Sequence, residues 1–259
     1  MKKIVFTSCL VFCVFRMAFG QVPGGTTDTV ASIDSASFKT KHKQKTIGYI
    51  VPAVFIGYGL VSLAGDNVIR RLDYTTNNEL REDHPSFAQK ADNYLRYVPA
   101  VAVYGLDLAG VKAKHNLVDR SAMLLMSALI AQGSISGIKS ITGRMRPNGL
   151  SNNSFPSGHT SMAFMSAEFL FQEYKEQSVW YGIGGYAIAT GTGILRLYNN
   201  AHWVSDVVAG AGFGILSTKL TYLVYPYIRQ KVFHGKEANL IFSPGYQNGS
   251  MNFNLIKRF

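Results

Sequence analysis

Cysteine is nearly missing from this sequence. Its 259 residues contain two, Cys9 and Cys13, both close to the N-terminus, so the rest of the chain can use no disulfide, thiolate nucleophile or cysteine-bound metal. Charge is also scarce. Asp, Glu, Lys and Arg make up 16% of the residues, against a usual share of roughly a quarter. With 47% hydrophobic residues, that scarcity excludes a disordered chain. The 25 glycines follow no Gly-X-Y period, which excludes a collagen-like rod, and no internal repeat or low-complexity tract is present. Acidic residues are the scarcer sign, 15 against 26 Lys and Arg, for a formal net charge of +11. Such an excess suits an anionic partner: a phosphorylated substrate, an anionic lipid headgroup or a nucleic acid. No nucleic-acid motif and no dense Arg/Lys run interleaved with aromatics is present, so nucleic acid is set aside.

What is present begins with a targeting signal. Lys2 and Lys3 precede an apolar run from Ile4 to Phe15, and Ala18-Phe19-Gly20 places small residues before Gln21, the pattern of a secretory signal peptide over residues 1–20. The run would form a helix of about 18 Å, short of the roughly 30 Å hydrocarbon core. Removal of Lys2, Lys3 and Arg16 with it leaves +8 on the remainder. Residues 21–46 read as a flexible basic leader that includes Lys39, Lys41, Lys43 and Lys45. Six helix-compatible apolar segments follow: Ile47–Gly65, Tyr94–Val111, Asp119–Lys139, Ser157–Tyr174, Ser178–Leu195 and His202–Ile228. They predict an all-α bundle of about six helices over residues 47–228. Asp66–Asn93, carrying both charge signs, is expected to be an exposed connection with some helix of its own. Gly133 with Gly137, and Gly210 with Gly214, are spaced to admit a neighbouring helix closely. Residues 229–259 read as a polar tail with a small hairpin. Mean hydropathy is +0.07, between the values usual for soluble enzymes and for polytopic membrane proteins.

Three stretches concentrate groups suited to phosphate. In Lys139-Ser140-Ile141-Thr142-Gly143-Arg144-Met145-Arg146-Pro147, Lys139 and Arg146 are nearly two helical turns apart, with Gly143 and Pro147 marking a helix end. A guanidinium offers a planar fork to phosphate oxygens and an ammonium a compact point charge. In Phe155-Pro156-Ser157-Gly158-His159-Thr160, Pro156 suits a first helical position. Ser157, Gly158 and His159 would then present backbone N–H groups at a helix N-terminus, where anions bind. In Leu195-Arg196 through His202 to Asp206, the i, i+4 spacing places His202 and Asp206 on one helix face, with Arg196 in a preceding loop. A carboxylate there can hold the imidazole Nδ1 proton and free Nε2 as a nucleophile. Trp203 and Tyr198 read as packing residues and Asp107 as structural.

The combination resembles the type 2 phosphatidic acid phosphatase (PAP2) superfamily, which includes bacterial acid phosphatases and vanadium haloperoxidases. Its first motif, Lys, six residues, Arg-Pro, matches Lys139, Arg146 and Pro147; its second, Pro-Ser-Gly-His, matches Pro156 to His159. The third, Ser-Arg, five residues, His, three residues, Asp, matches Arg196, His202 and Asp206, with Leu195 in place of Ser. The resemblance implies catalysis by His202, His159 and Asp206. His202 would be the nucleophile, Asp206 its support and His159 the acid toward the leaving oxygen. It implies phosphate binding by Lys139, Arg146, Ser157, Gly158 and Arg196, with no metal and no cofactor.

The expected partner is a phosphorylated lipid in the cell envelope: phosphatidic acid, phosphatidylglycerophosphate, undecaprenyl pyrophosphate or a lipid A phosphate. The family's six-span lipid phosphatases have their motifs in this order, with the site facing the periplasm. The alternatives are a soluble periplasmic acid phosphatase acting on small phosphomonoesters, a vanadate-dependent haloperoxidase, and a binding or transport protein without turnover. One conflict stands inside the membrane reading. If the signal is cleaved outside and all six segments span, the first motif emerges on the cytoplasmic side. Either the N-terminal segment is retained, one segment does not span, or the bundle is not transmembrane; Tyr94–Val111, broken by Pro99 and Asp107, is the candidate for a segment that does not span.

Overall fold

The computed structural model describes the backbone of residues 35–233, 239–247 and 250–258, and side chains from residue 48 to 231. The signal peptide and the start of the leader lie outside the described residues. The chain divides into two units, Met1–Val51 and Pro52–Phe259, and the site belongs to the second.

Among the described residues eight helices follow one another: α1 (Ser35–Val61), α2 (Val68–Asp83), α3 (Asp92–Leu95), α4 (Val98–Leu108), α5 (Leu117–Thr142), α6 (Gly158–Tyr174), α7 (Val179–Tyr198) and α8 (Val204–Phe233). An antiparallel hairpin closes the chain, with β1 (Asn239–Gln247) paired to β2 (Ser250–Arg258) in a register that sets Asn239 opposite Arg258. The lysine cluster assigned to the leader falls within the span of α1, since the run from Ser35 to Ile47 contains neither Gly nor Pro to stop a helix. The charged connection after α1 is mostly the sixteen-residue α2, started by Asn67, whose side chain accepts from the Arg70 amide. The expected segment Tyr94–Val111 divides into α3 and α4. At eleven residues, α4 is about 17 Å long, too short to cross a bilayer.

The centre of the bundle is α6, buried on nearly every side from Thr160 to Tyr174. It packs most extensively against α7 and α8, then α4 and α5. Glycine makes the tightest of these approaches: a Cβ added at Gly214 would lie 2.2 Å from the Ser161 carbonyl oxygen, and one at Gly210 2.5 Å from that of Ser157. The backbones of α8 and α6 therefore touch. The other small-residue pair behaves differently, because nothing lies within 4 Å of a Cβ at Gly133 or Gly137. Their α5 face is open, and Leu125 and Leu129 on the same helix are exposed as well.

Val103, Met123, Phe169, Leu170, Tyr174 and Tyr225 form one apolar cluster. Around it lies a set of ion pairs, each with one buried member. Asp107 pairs with Arg120, Glu173 with His115, Glu168 with Lys219 and Asp119 with Arg229. Asp107, expected to be structural, thus has its partner 13 residues along the chain. These groups stand at the start of α5 and the end of α6. The motif residues stand at the other end of both helices. Two helical stretches, Leu117–Thr142 and Val204–Lys231, are long and apolar enough to cross a membrane by length and composition.

Candidate phosphate site

Five elements meet around the motifs: the loop from α5 to α6, the N-terminus of α6, the end of α7, the start of α8, and the stretch from α2 to α3. The first helix end forms as the sequence predicts. Gly143, at φ 53°, caps α5 in the left-handed region, which costs glycine little. The chain then turns back so that Lys139 Nζ donates to the Asn153 carbonyl and Arg146 Nε donates to Asn153 Oδ1 at 2.8 Å. One asparagine holds both motif cations. Burial first and the neighbouring Arg196 second lower the pKa of Arg146.

The N-terminus of α6 lies two residues later than expected. Gly158, not Pro156, is the first helical residue, Ser157 is its cap, and Pro156 lies outside the helix after a cis Phe155–Pro156 bond. The Ser157 amide is already used, donating to the Asp206 carbonyl at 3.0 Å. Its buried hydroxyl shares a 2.9 Å hydrogen bond with Thr160 Oγ1. Among the described residues, the amides of Gly158 and His159 have no acceptor. A Cβ at Gly158 would only touch Ile135 at 3.6 Å, so packing alone does not demand glycine there. His159 Nε2 lies 2.8 Å from Asn93 Oδ1, which places a ring proton on Nε2. Burial, then the Arg196 and Arg96 cations, lowers the His159 pKa to about 3.

Arg196 lies in the last turn of α7 rather than in a loop. It is buried, and its Nη1 donates to the buried Asp92 carboxylate from α3. His202 is not on α8 but two residues before it, while Asp206 is in the first turn. The two are close, Nδ1 to Oδ2 3.7 Å, without a hydrogen bond, and His202 Nδ1 has no partner among the described residues. The reason is competition. Both Asp206 oxygens are occupied: Oδ1 accepts from Arg144 Nη1 at 2.7 Å, and Oδ2 accepts from Ser154 Oγ at 2.5 Å and the Trp203 amide at 2.9 Å. The Trp203 contact is half of a capping box that starts α8. Burial lowers the His202 pKa to about 4 against the pull of Asp206, so its imidazole is neutral at pH 7.

Arg144 reaches further. Its Nη2 donates to Asp73 Oδ2 at 2.7 Å, and Asp73 also accepts from the Ser205 amide at 2.8 Å and the Ser205 hydroxyl at 2.5 Å. Burial pushes Asp73 up in pKa, and the bonds from Ser205 and Arg144 pull it back. Trp203 packs as expected, edge-on to Tyr74 at 4.9 Å, and its Nε1 donates to the Met145 carbonyl. Tyr198 lies against Phe87 and His84. The sequence reading missed Asp73, Asp92, Asn93, Asn153 and Ser154, single polar residues in polar stretches that carry no spacing signal.

The segment bearing the three motifs belongs to the PAP2 superfamily, whose family model matches residues 121–230. Beyond it, the chain is 34% identical to a protein named lipid A 1-phosphatase from Porphyromonas gingivalis, over 76% of this chain and 44% of that one. It is 35% identical to the bacitracin transport permease protein BcrC of Bacillus licheniformis, over 29% of this chain and 35% of that one. The chain thus spans less than half the length of either relative. Among solved structures it is similar to Aquifex aeolicus LpxE, with a TM-score of 0.42 and 20% identity over 56% of this chain and 93% of that one. It is also similar to a transmembrane PAP2 type phosphatidylglycerolphosphate phosphatase from Bacillus subtilis, with a TM-score of 0.47 and 18% identity over 72% and 99%.

Proposed function

We propose that the chain is a phosphatase of the cell envelope that removes phosphate from a lipid phosphate through a phosphohistidine on His202. The observation that carries this reading is the meeting of Lys139, Arg146 and Arg196 with two neutral histidines at one end of the bundle. His202 Nε2 attacks phosphorus as the bond to the leaving oxygen breaks, and His159 gives that oxygen its proton. Water then attacks the phosphohistidine, His159 takes back a proton, and inorganic phosphate leaves. The three cations and the amides of Gly158 and His159, with Ser157 as helix cap, stabilise charge on the non-bridging oxygens. His159 starts neutral because burial, and then the Arg196 and Arg96 cations, disfavour its protonation; a bound phosphate dianion offsets those cations and raises its pKa toward the range an acid catalyst needs.

Lipid A is the favoured substrate among the candidate lipids, because the relative named for it matches most of this chain. In this reading α5 and α8 cross the bilayer, and the end that carries all three motifs faces the periplasm. A soluble periplasmic phosphatase is the second reading. It is favoured by the buried Glu168 and Glu173 in α6 and by the presence of only two span-length apolar helices among the described residues.

The test is inorganic phosphate release by detergent-purified protein from a lipid A phosphate in mixed micelles and from a soluble phosphomonoester, each with a His202→Ala control. Strong preference for the lipid with a dead control supports the first reading. Equal or better turnover of the soluble ester supports the second. A carbonate wash separates the two independently, since a spanning bundle stays in the pellet.

A further inference from the structure

Arg144 lies between the two cations of the first motif, yet its side chain turns away from them. Its guanidinium is largely buried and holds two fully buried carboxylates, Asp206 on α8 and Asp73 on α2, each at 2.7 Å. Nη1 also reaches the Ser205 hydroxyl at 2.8 Å and the Ser62 hydroxyl, just after α1, at 3.2 Å. Asp73 is fixed in turn by the Ser205 amide and hydroxyl at the start of α8. Three parts of the chain, the end of α1, α2 and the start of α8, therefore converge on one side chain of the α5–α6 loop. Their common product is the orientation of the Asp206 carboxylate.

We infer that Arg144 and Asp73 form a positioning pair for the nucleophile: they fix Asp206, and through it the ring of His202, without touching phosphate. This rests on the phosphatase reading. The geometry gives the pair a definite task. Asp206 Oδ2 stands 3.7 Å from His202 Nδ1, so a shift of about 1 Å decides whether the ring is held when it becomes charged on phosphorylation. Misplacement on that scale can cost about 10²-fold in rate. Only a fork can serve both carboxylates at once. A lysine keeps the charge at a single point and can hold one of them. Asp73 lies outside residues 121–230, the segment matched by the family model. The pair thus makes α2 part of the working site.

The experiment compares Arg144→Gln, Arg144→Lys and Asp73→Asn with the unaltered chain. It measures kcat, the pH profile of kcat, and the Ki of inorganic phosphate as a competitive inhibitor, with a thermal melt of each protein. The groups facing the Asp206–His202 couple are Arg144 from the α5–α6 loop, Arg196 from α7, Lys139 from α5, His159 from α6, and the neutral donors Ser154 and the Trp203 amide. Loss of the Arg144 cation makes protonation of His202 easier, so the acid limb of the Arg144→Gln profile moves to higher pH. The expected result is a loss of about 10²-fold in kcat for Arg144→Gln, with the phosphate Ki within about twofold. Arg144→Lys should restore the position of the limb but not the rate. Asp73→Asn should lower kcat in the same direction by a smaller factor, and it carries the test if the Arg144 variants do not fold. Two results overturn the inference: a phosphate Ki that weakens in step with kcat, which makes Arg144 a phosphate ligand, or a melt that falls while kcat and its pH profile stay put. Absence of any phosphate release by the unaltered chain overturns the phosphatase reading instead. A phosphate affinity measured by calorimetry keeps the two failures apart.

Discussion

At the far end of the bundle, each buried acid of the ion-pair set has a basic side chain beside it: Lys219 beside Glu168, His115 beside Glu173, Arg229 beside Asp119. Tyrosine hydroxyls complete the set, Tyr186 on Glu168, Tyr222 on Glu173 and Tyr225 on Asp119. At the motif end the balance is broken. Among the described residues, the Lys139 and Arg146 side chains bond only to the oxygens of Asn153, and amide oxygens carry no full charge. The comparison separates two arrangements of charge: where it is cancelled it holds helices together, and where it is left over it is, in the proposed reading, the seat of an anion.

The comparison breaks most sharply at His202. Replacing it with Ala should remove phosphate release by at least about 10³-fold while leaving inorganic phosphate binding intact, which a turnover assay beside calorimetry would establish. A binding or transport protein would keep its activity after that change. At the far end the pattern should reverse. Glu173→Gln leaves His115 without its buried carboxylate and should cost about 3 kcal/mol of stability, read as a lower Tm, with kcat per folded molecule unchanged. Gly214→Ala tests the contact that carries both ends, since its Cβ would press on the Ser161 carbonyl and the Met165 amide. A loss of about 2 kcal/mol is expected. Gly133→Ala, facing open space, should be neutral or gain up to about 1 kcal/mol in the same melt.

Acid sharpens the difference more gently. In the unfolded chain His202 and His159 take up protons near pH 6.5; folded, they hold out to about 4 and about 3. Between those limits the unfolded state binds more protons, so stability is unaffected above pH 6.5 and falls as pH drops from 6.5 toward 4. Melts of His202→Gln across that window should show a shallower decline than those of the unaltered chain. An equal decline would place the acid sensitivity elsewhere.

Much of this was legible before the structure. Apolar runs long enough for helices placed α5, α6, α7 and α8 within a few residues, and motif spacing picked out Lys139, Arg146, His159, Arg196, His202 and Asp206. The polar elements were harder. The start of α1 carries a lysine cluster that reads as leader, and α2 mixes charges of both signs, so neither has an apolar stripe to reveal it. Residues that reach the site from a distance left no trace either: Asp73 bonds to Ser205 across 132 positions and Asp92 to Arg196 across 104. Arg144 was visible but ambiguous. A basic residue between two phosphate-type cations looks like a third, and only its two carboxylate partners say otherwise.

Asp73 and Asp92, which pair with Arg144 and Arg196, come from α2 and α3, upstream of the segment that the family model matches. That segment is therefore not a portable cassette. Grafted from residue 121 onward into another helical scaffold, it would leave Arg196 without Asp92 and Arg144 with Asp206 alone. The graft would have to evolve two new acids before Asp206 and His202 were held as they are here.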